Sequence, residues 1–331
     1  VTTLTTTPPS ATPSPDPTGA PPRQPRIAAS GRRAGSASER SKNRFVFFSV
    51  LPAVVLFVVF MVVPTVNVFR MSLFTWSGFS PDMTFVGFDN FVTLFGDMQF
   101  VRAFQNTVLL LVVVTLVTMG GGLILAAVMS REALRGKAFF RFVFYIPNIL
   151  SIVVIAALFS AIYDQEDGLI NGTLQVLSLD WLQQVWLGDQ QLVIFSVGIA
   201  MVWQSLGYYM VMYISSMAAV PESLYEASSL DGAGPIRQLF QLTIPLIWQN
   251  IRTTLTFFVM SAVNLSFVLV TAMTSGGPDG SSEVLLSYMY KQAYTNSSYG
   301  YGMAIGVVIF AFSFIVSLII SRATKREPLQ F

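Results

Sequence analysis

The chain has 331 residues, of which 53% are hydrophobic and only 11% charged, where a soluble domain carries about 25% charged residues. So large a deficit needs lipid as the solvent. With neither cysteine nor histidine in the chain, disulfides, thiolate or imidazole zinc sites and Ser-His-Asp or Cys-His catalysis are excluded.

Residues 1–40 are rich in Pro, Ser, Thr, Ala and Gly and nearly lack large apolar side chains. Such a segment buries too little surface to offset its ordering entropy, so a disordered tail is expected ahead of a membrane domain over 41–331. Six apolar stretches follow, at about 45–69, 104–129, 142–163, 191–217, 253–274 and 303–321. Each can cross a hydrocarbon core of about 30 Å as a helix, and none contains Asp, Glu, Lys or Arg. The expected fold is an all-α bundle of six spans. Pro52, Pro64 and Pro147 are expected near span ends, where a missing backbone bond costs least. The run Gly120-Gly121-Gly122 suits a kink or a close helix crossing, with ordinary packing in the bilayer as the simpler account.

Charge placement predicts the orientation. An even number of spans puts both termini on one side. That side collects sixteen of the nineteen basic residues, among them Arg131, Arg135, Lys137, Arg141, Arg237, Arg252 and Arg322. The other side keeps Arg70, Arg102 and Lys291 with most of the acids. Both termini are therefore expected in the cytoplasm of a cell with this chain in its plasma membrane. On the outer side, Phe85, Phe88, Phe91, Val92 and Phe95 recur at helical spacing and predict a segment along the interface, and Trp181 and Trp186 read as interfacial anchors.

The loop between the fourth and fifth stretches carries the most specific pattern. Pro221 suits a helix start, Glu222 and Glu226 suit its early turns, and Leu224, Ala227 and Leu230 follow one arc. Gly232 is a natural helix stop, Gly234-Pro235 a second start, and Pro245 a bend. The expected structure is a helix-turn-helix that offers an apolar knob to a partner's groove. The string Glu226-Ala227-Ser228-Ser229-Leu230-Asp231-Gly232-Ala233, with Phe240, Ile244 and Pro245 after it, resembles the "EAA" loop of permease subunits of binding-protein-dependent ABC importers. Phe85-Val86-Gly87-Phe88-Asp89-Asn90-Phe91 and Gly276-Gly277-Pro278 also match, and the likeness is to the sugar-importing branch, the maltose permease subunit and its relatives. Ser228 departs from that pattern, where the family has a second alanine.

The resemblance implies that Glu226, Ala227, Asp231, Gly232, Ala233 and Pro245 form a coupling loop. It implies a second permease subunit, a heterodimer being the expected arrangement, together with a dimer of ATP-binding subunits and an extracytoplasmic sugar-binding protein. No cofactor is expected in this chain, which lacks a Gly-x-x-x-x-Gly-Lys-Ser/Thr phosphate loop. It is not expected to be an enzyme or to bind nucleic acid. The absence of ionisable groups from the spans agrees with energy entering from outside the bilayer.

The fourth and fifth stretches are the most polar. Ser205 and Tyr208 are three residues apart and Asn264 and Thr271 seven apart, so each pair shares a face. Aromatic faces with neutral hydrogen-bonding groups suit a sugar; the same groups suit helix–helix hydrogen bonding equally well. By the resemblance, Trp203, Ser205 and Tyr208 fall in the substrate-lining stretch, and Ser266 falls where an asparagine contacts sugar. The expected substrate is a di- or oligosaccharide, with glycerol phosphate as the rival solute and a passive channel or secondary carrier as the rival mechanism.

Overall fold

The computed structural model describes residues 35–130 and 135–325, with side chains from Lys42 onward. Residues 1–34 of the expected tail, together with Arg131 and Arg326, lie outside the described residues. The chain divides into two units at Met61 and Val62. In the first, α1 (Gly35–Phe57) runs into a wide π turn at Val58–Val62. It starts ahead of the expected boundary at residue 41, because Gly35–Lys42 carries no helix breaker except its first glycine. Pro52 is accommodated inside it.

The second unit continues as α2 (Val63–Met71), with Pro64 in its first turn. A short antiparallel hairpin of β1 (Phe74–Thr75) and β2 (Thr84–Phe85) pairs Phe74 with Phe85. Then come α3 (Asp89–Gly96), the 33-residue α4 (Met98–Ser130), α5 (Lys137–Ile149), α6 (Ile152–Ile162) and α7 (Leu169–Val176). They are followed by α8 (Val193–Ala218), α9 (Glu222–Leu230), α10 (Pro235–Gln238), α11 (Ile244–Leu246) and α12 (Trp248–Met273). The last described helices are α13 (Leu285–Tyr290) and α14 (Tyr299–Ala323).

Among the described residues, five helical segments are long and apolar enough to cross a membrane: Lys42–Met71, Met98–Ser130, Val193–Ala218, Trp248–Met273 and Tyr299–Ala323. The third expected span is not one straight helix. It is the pair α5 and α6, bent by 102°. Pro147, expected near a span end, lies inside α5, and the chain turns extended at Leu150 and Ser151 (ψ 146° and 138°). Hydropathy cannot register such a bend, because Leu150 and Ser151 do not interrupt the apolar run.

α8 is the hub, packed against α4, α5, α12 and α6. Small residues permit these approaches, as they must where lipid supplies no hydrophobic drive between helices. A Cβ on Gly207 would stand 1.8 Å from the carbonyl oxygen of Phe144, so α8 can lie against α5 only with glycine there. The glycine run in α4 makes a close crossing rather than a kink: Gly121 and Gly122 face Leu206 and the Tyr209–Met210 backbone of α8. Tyr213 joins three helices, its hydroxyl meeting Thr254 of α12 at 3.1 Å and the Met119 sulfur of α4 at 3.0 Å.

At the opposite end from the α9–α10 loop, Asp97 ties neighbouring elements together. Its Oδ1 accepts from the Gln99 and Phe100 amides at the start of α4, and its Oδ2 accepts from the hydroxyls of Tyr288 and Tyr301. Burial alone would raise its pKa. The two tyrosine hydroxyls and the two amides outweigh that, holding the carboxyl below its ordinary value, while burial and then the bond to the Asp97 carboxylate raise the Tyr288 phenol above its own. Nearby, the Asn106 amide donates to the carbonyls of Ser281 and Glu283, and the Thr107 hydroxyl accepts from the Leu285 amide, so the 281–285 segment is pinned to α4. Trp186 is held inward, donating to Asn171 and tilted against Tyr163, whereas Trp181 stands exposed.

Gly207→Ala should cost about 1–3 kcal/mol of stability through forced separation of α5 and α8, read as a lower melting temperature in detergent. Gly120→Ala, where an added methyl meets nothing within 4 Å, should leave it unchanged or raise it; equal losses from both would remove the close-approach account. A second expectation concerns pH. Because the Asp97 pKa is depressed on folding, its contribution is fully present above the unfolded value of about 3.9 and is lost as pH falls through the lower folded value. The wild type should therefore lose stability relative to Asp97→Asn as pH drops below about 4; parallel melting curves for the two would show that the carboxylate is not the clamp.

Candidate functional site

Two regions gather the residues singled out in the sequence. The first is the loop after α8. Pro221 precedes α9 with extended backbone (ψ 133°) rather than occupying its first turn. Gly232 takes the left-handed conformation (φ +77°) that only glycine adopts without strain. The amides of Gly232 and Ala233 return to the carbonyls of Ser229 and Ser228, which closes α9. Gly234 then caps α10, with Pro235 in its first turn. The second helix continues through a π turn at Leu239–Thr243 and on through Pro245, and the bend comes two residues later, at Ile247 before α12.

This hairpin is braced from within. The Gln238 amide donates to the hydroxyls of Ser228 and Ser229, both at 2.9 Å, and Tyr225 and Thr243 share a hydrogen bond of 3.1 Å. Ser228, the departure from the family pattern, thus joins Ser229 in tying α9 to α10. Leu224 and Tyr225 pack against the core, while Leu230, Ile236 and Phe240 are 90%, 72% and 63% exposed. The arc from Leu224 to Leu230 therefore runs from the core into solvent. Glu226, Ala227, Asp231 and Gly232 are exposed around it, and Ala233 and Pro245 are half-buried. Such a patch, apolar at its centre with acids at its rim, has the composition of a docking surface.

The second region is a cleft of about 690 Å³ between α8 and α12, closed at one side by the α5–α6 break. Ser205, Tyr208 and Asn264 line it, together with Gln204, Ser261 and Asn148. Phe257 and Met212 supply apolar wall, and no charged side chain takes part. The Ser205 hydroxyl donates to Gln204, and that of Ser261 to the Phe258 carbonyl. Among the described residues, the amides of Asn148 and Asn264 and the hydroxyl of Tyr208 have no hydrogen-bond partner, so they face the cleft unengaged.

Trp203, Ser266 and Thr271 lie elsewhere. Residues two apart on a helix face different ways. Trp203 accordingly points away from Ser205, into an apolar groove between α4 and α8 and edge-on to Phe159 at 5.4 Å. Ser266, two residues from Asn264, is buried and bonded to the Val263 carbonyl of its own helix. Thr271 shares the Asn264 face but stands about 10 Å further along the axis, exposed beyond the cleft. Asn148 is absent from the sequence reading; its signal is an amide directly after proline within an otherwise apolar stretch.

A family model described as "Binding-protein-dependent transport system inner membrane component" matches residues 119–326. The chain belongs to this family of permeases. The probable ABC transporter permease protein YurN of Bacillus subtilis is 40% identical over 283 residues, covering 84% of this chain and 95% of that protein. The diacetylchitobiose uptake system permease protein NgcF of Streptomyces coelicolor is 32% identical over 310 residues, covering 90% and 87%. Among solved structures, a chain of a bacterial ABC transporter involved in the import of the acidic polysaccharide alginate superposes with a TM-score of 0.76. It covers 87% of this permease and 97% of its own length at 21% identity, so the likeness there is one of fold. The permease is a membrane transport subunit.

Proposed function

We propose that this permease forms half of the membrane pathway of an ATP-driven importer for a neutral di- or oligosaccharide. The observation that carries the reading is the cleft between α8 and α12, which presents uncharged amides, hydroxyls and an aromatic ring together. That mixture suits a molecule with many hydroxyls and apolar ring faces. The name of the relative NgcF, a diacetylchitobiose uptake permease, points the same way. A phosphate-bearing solute is disfavoured, since no Arg or Lys lines the cleft and an anion there would be buried unpaired.

In this reading a second permease completes the pathway, and an extracytoplasmic binding protein delivers the sugar. ATP is bound and hydrolysed by a separate pair of subunits, and this chain holds no cofactor. The α9–α10 hairpin docks on those subunits, with Leu230, Ile236 and Phe240 entering a groove and Glu226 and Asp231 at its rim. A passive channel would have no use for so braced and exposed a hairpin. Both termini and the hairpin face the cytoplasm, as the basic residues indicate.

Two experiments test this. In the complex reconstituted with its partners, Tyr208→Ala and Asn264→Ala should lower sugar affinity by roughly 2- to 13-fold, the equivalent of one lost hydrogen bond, with basal ATP hydrolysis kept. Glu226→Lys and Gly232→Pro should instead insert normally and abolish sugar-stimulated hydrolysis. Lower melting temperatures with unaltered sugar preference in the cleft variants would make those side chains helix packing, and full transport by the hairpin variants would end the docking reading. Orientation is tested with single cysteines, for which the cysteine-free chain is suited. An impermeant thiol reagent applied outside cells should label Phe79→Cys, at the tip of the β1–β2 hairpin, and spare Leu230→Cys; the reverse pattern would invert the topology.

A further inference from the structure

A second cleft, of about 630 Å³, opens at the end of the spans opposite the α9–α10 hairpin. It lies between the β1–β2 hairpin and α3 on one side and the start of α14 on the other. Its volume is that of a small-molecule site. Its lining differs from that of the cleft between α8 and α12: no aliphatic side chain takes part. The rings of Trp76 and Tyr301 stand with the hydroxyls of Thr75, Thr93 and Ser297 and the amide of Asn90.

The groups there are held in place before any ligand arrives. The Trp76 indole donates to the Ser80 carbonyl at 2.7 Å and sits edge-on to Tyr299 at 5.2 Å, which fixes its ring. The Gly300 amide donates to the Trp76 carbonyl at 3.1 Å, so the hairpin is docked on α14. The Asn90 nitrogen donates to the carbonyls of Ser72 and Phe74, which leaves its own oxygen free. Ser297 is held in the left-handed region (φ +50°), a conformation uncommon for serine. Among the described residues, the hydroxyls of Thr75, Thr93 and Ser297 make no hydrogen bond.

Charge decides what kind of ligand fits. Asp97 is the one ionisable carboxylate in the lining, and each of its oxygens already accepts two hydrogen bonds. With all four acceptor positions used, it has none free to ligate a cation directly. No Arg or Lys lines the cleft, so an anion has no counter-charge. What remains is a set of free neutral donors and acceptors beside a fixed aromatic face, which is the requirement of an uncharged sugar ring.

We propose that this outer cleft is a saccharide subsite, distinct from the cleft between α8 and α12, that holds a sugar unit on the outer side of the membrane before it enters. The proposal rests on the sugar-import reading and on the orientation given with it. Trp76 is the platform; Thr93, Thr75 and the Asn90 oxygen make the polar contacts.

The test uses the assembled transporter in proteoliposomes, with maltose, cellobiose and diacetylchitobiose as probes and Trp76→Ala, Trp76→Phe, Thr93→Val and Tyr208→Ala as variants. Thr93 is exposed and unengaged, so Thr93→Val keeps the fold even where Trp76→Ala does not. For a transported probe, Trp76→Ala and Thr93→Val should raise KM about three- to tenfold, the scale of one or two lost contacts, at unchanged maximal rate, with Trp76→Phe between. An unchanged KM in Thr93→Val and Trp76→Phe, while Tyr208→Ala still impairs uptake, overturns the outer subsite and leaves the inner cleft standing. Weakened stimulation by the binding protein without sugar would make the cleft a protein-docking surface and equally overturn it. If the wild type carries none of the probes, the sugar-import reading fails first and the subsite with it.

Discussion

Inside a bilayer every backbone amide and carbonyl must find its partner within the protein, and this requirement governs the molecule more than any single side chain does. Four of the spanning segments that pack in the second unit meet it with uninterrupted hydrogen bonding along α4, α8, α12 and α14. The α5–α6 pair does not, because the chain turns extended at Leu150 and Ser151. Non-helical backbone at membrane depth persists only where protein buries it or a polar cavity abuts it. Here the break abuts the α8–α12 cleft, to which it contributes Asn148 and Ile152. The break is therefore a condition for the cleft, and Gly207 is what lets α5 come close enough to α8 to support it.

The polar side chains of the spans then divide by whether the fold uses them. Tyr213, Thr254 and Ser266 spend their hydrogen bonds within the bundle, and Asn106 and Thr107 spend theirs on the 281–285 segment. These are packing groups of the kind that hold membrane helices together where apolar contact gives no selectivity. Asn148, Tyr208 and Asn264 are different: they border a cavity and have no partner among the described residues. An amide left unsatisfied beside lipid is costly, so their persistence on the cleft wall is itself an argument for water or a hydroxylated ligand there.

Much of this was legible in the sequence, and the remainder was not for identifiable reasons. Span positions follow from the length of apolar runs, and the helix stop at Gly232 follows from backbone sterics, so both are local properties. The α9–α10 pairing was legible as two helices, but the Ser228–Gln238 contact that braces them needs the angle between them, which no local rule supplies. Trp203 and Ser266 were placed with the substrate-lining residues by the family resemblance, although a spacing of two residues from Ser205 and Asn264 already turns a side chain to another side of the helix. Asn148 was hidden because a single amide barely lowers the hydropathy of its surroundings. The outer cleft escaped altogether, since its lining comes from three separated segments, 75–77, 90–97 and 292–301, that only the docking of the hairpin on α14 unites.

The arrangement also explains how a docked hairpin can act on a cleft it does not touch. α10, the π turn at Leu239–Thr243 and α11 lead into α12 with one bend, at Ile247, and Ile247 is buried in the core. Tyr225 and Thr243 tie α9 to the π turn, so α9 and the entry to α12 move together. α12 then carries Phe257, Ser261 and Asn264 on the cleft wall while packing against α4, α6, α8 and α14. A packed core repacks between discrete arrangements rather than deforming smoothly. On the proposed reading, closure of the ATP-binding subunits around Leu230 and Phe240 displaces this connected piece as a lever. The wall formed by α12 shifts against α8, whose position is fixed by Gly207 on one side and by the crossing with α4 on the other. The π turn, wider than an α turn and typical of functional segments, and the bend at Ile247 are the irregular points along that path.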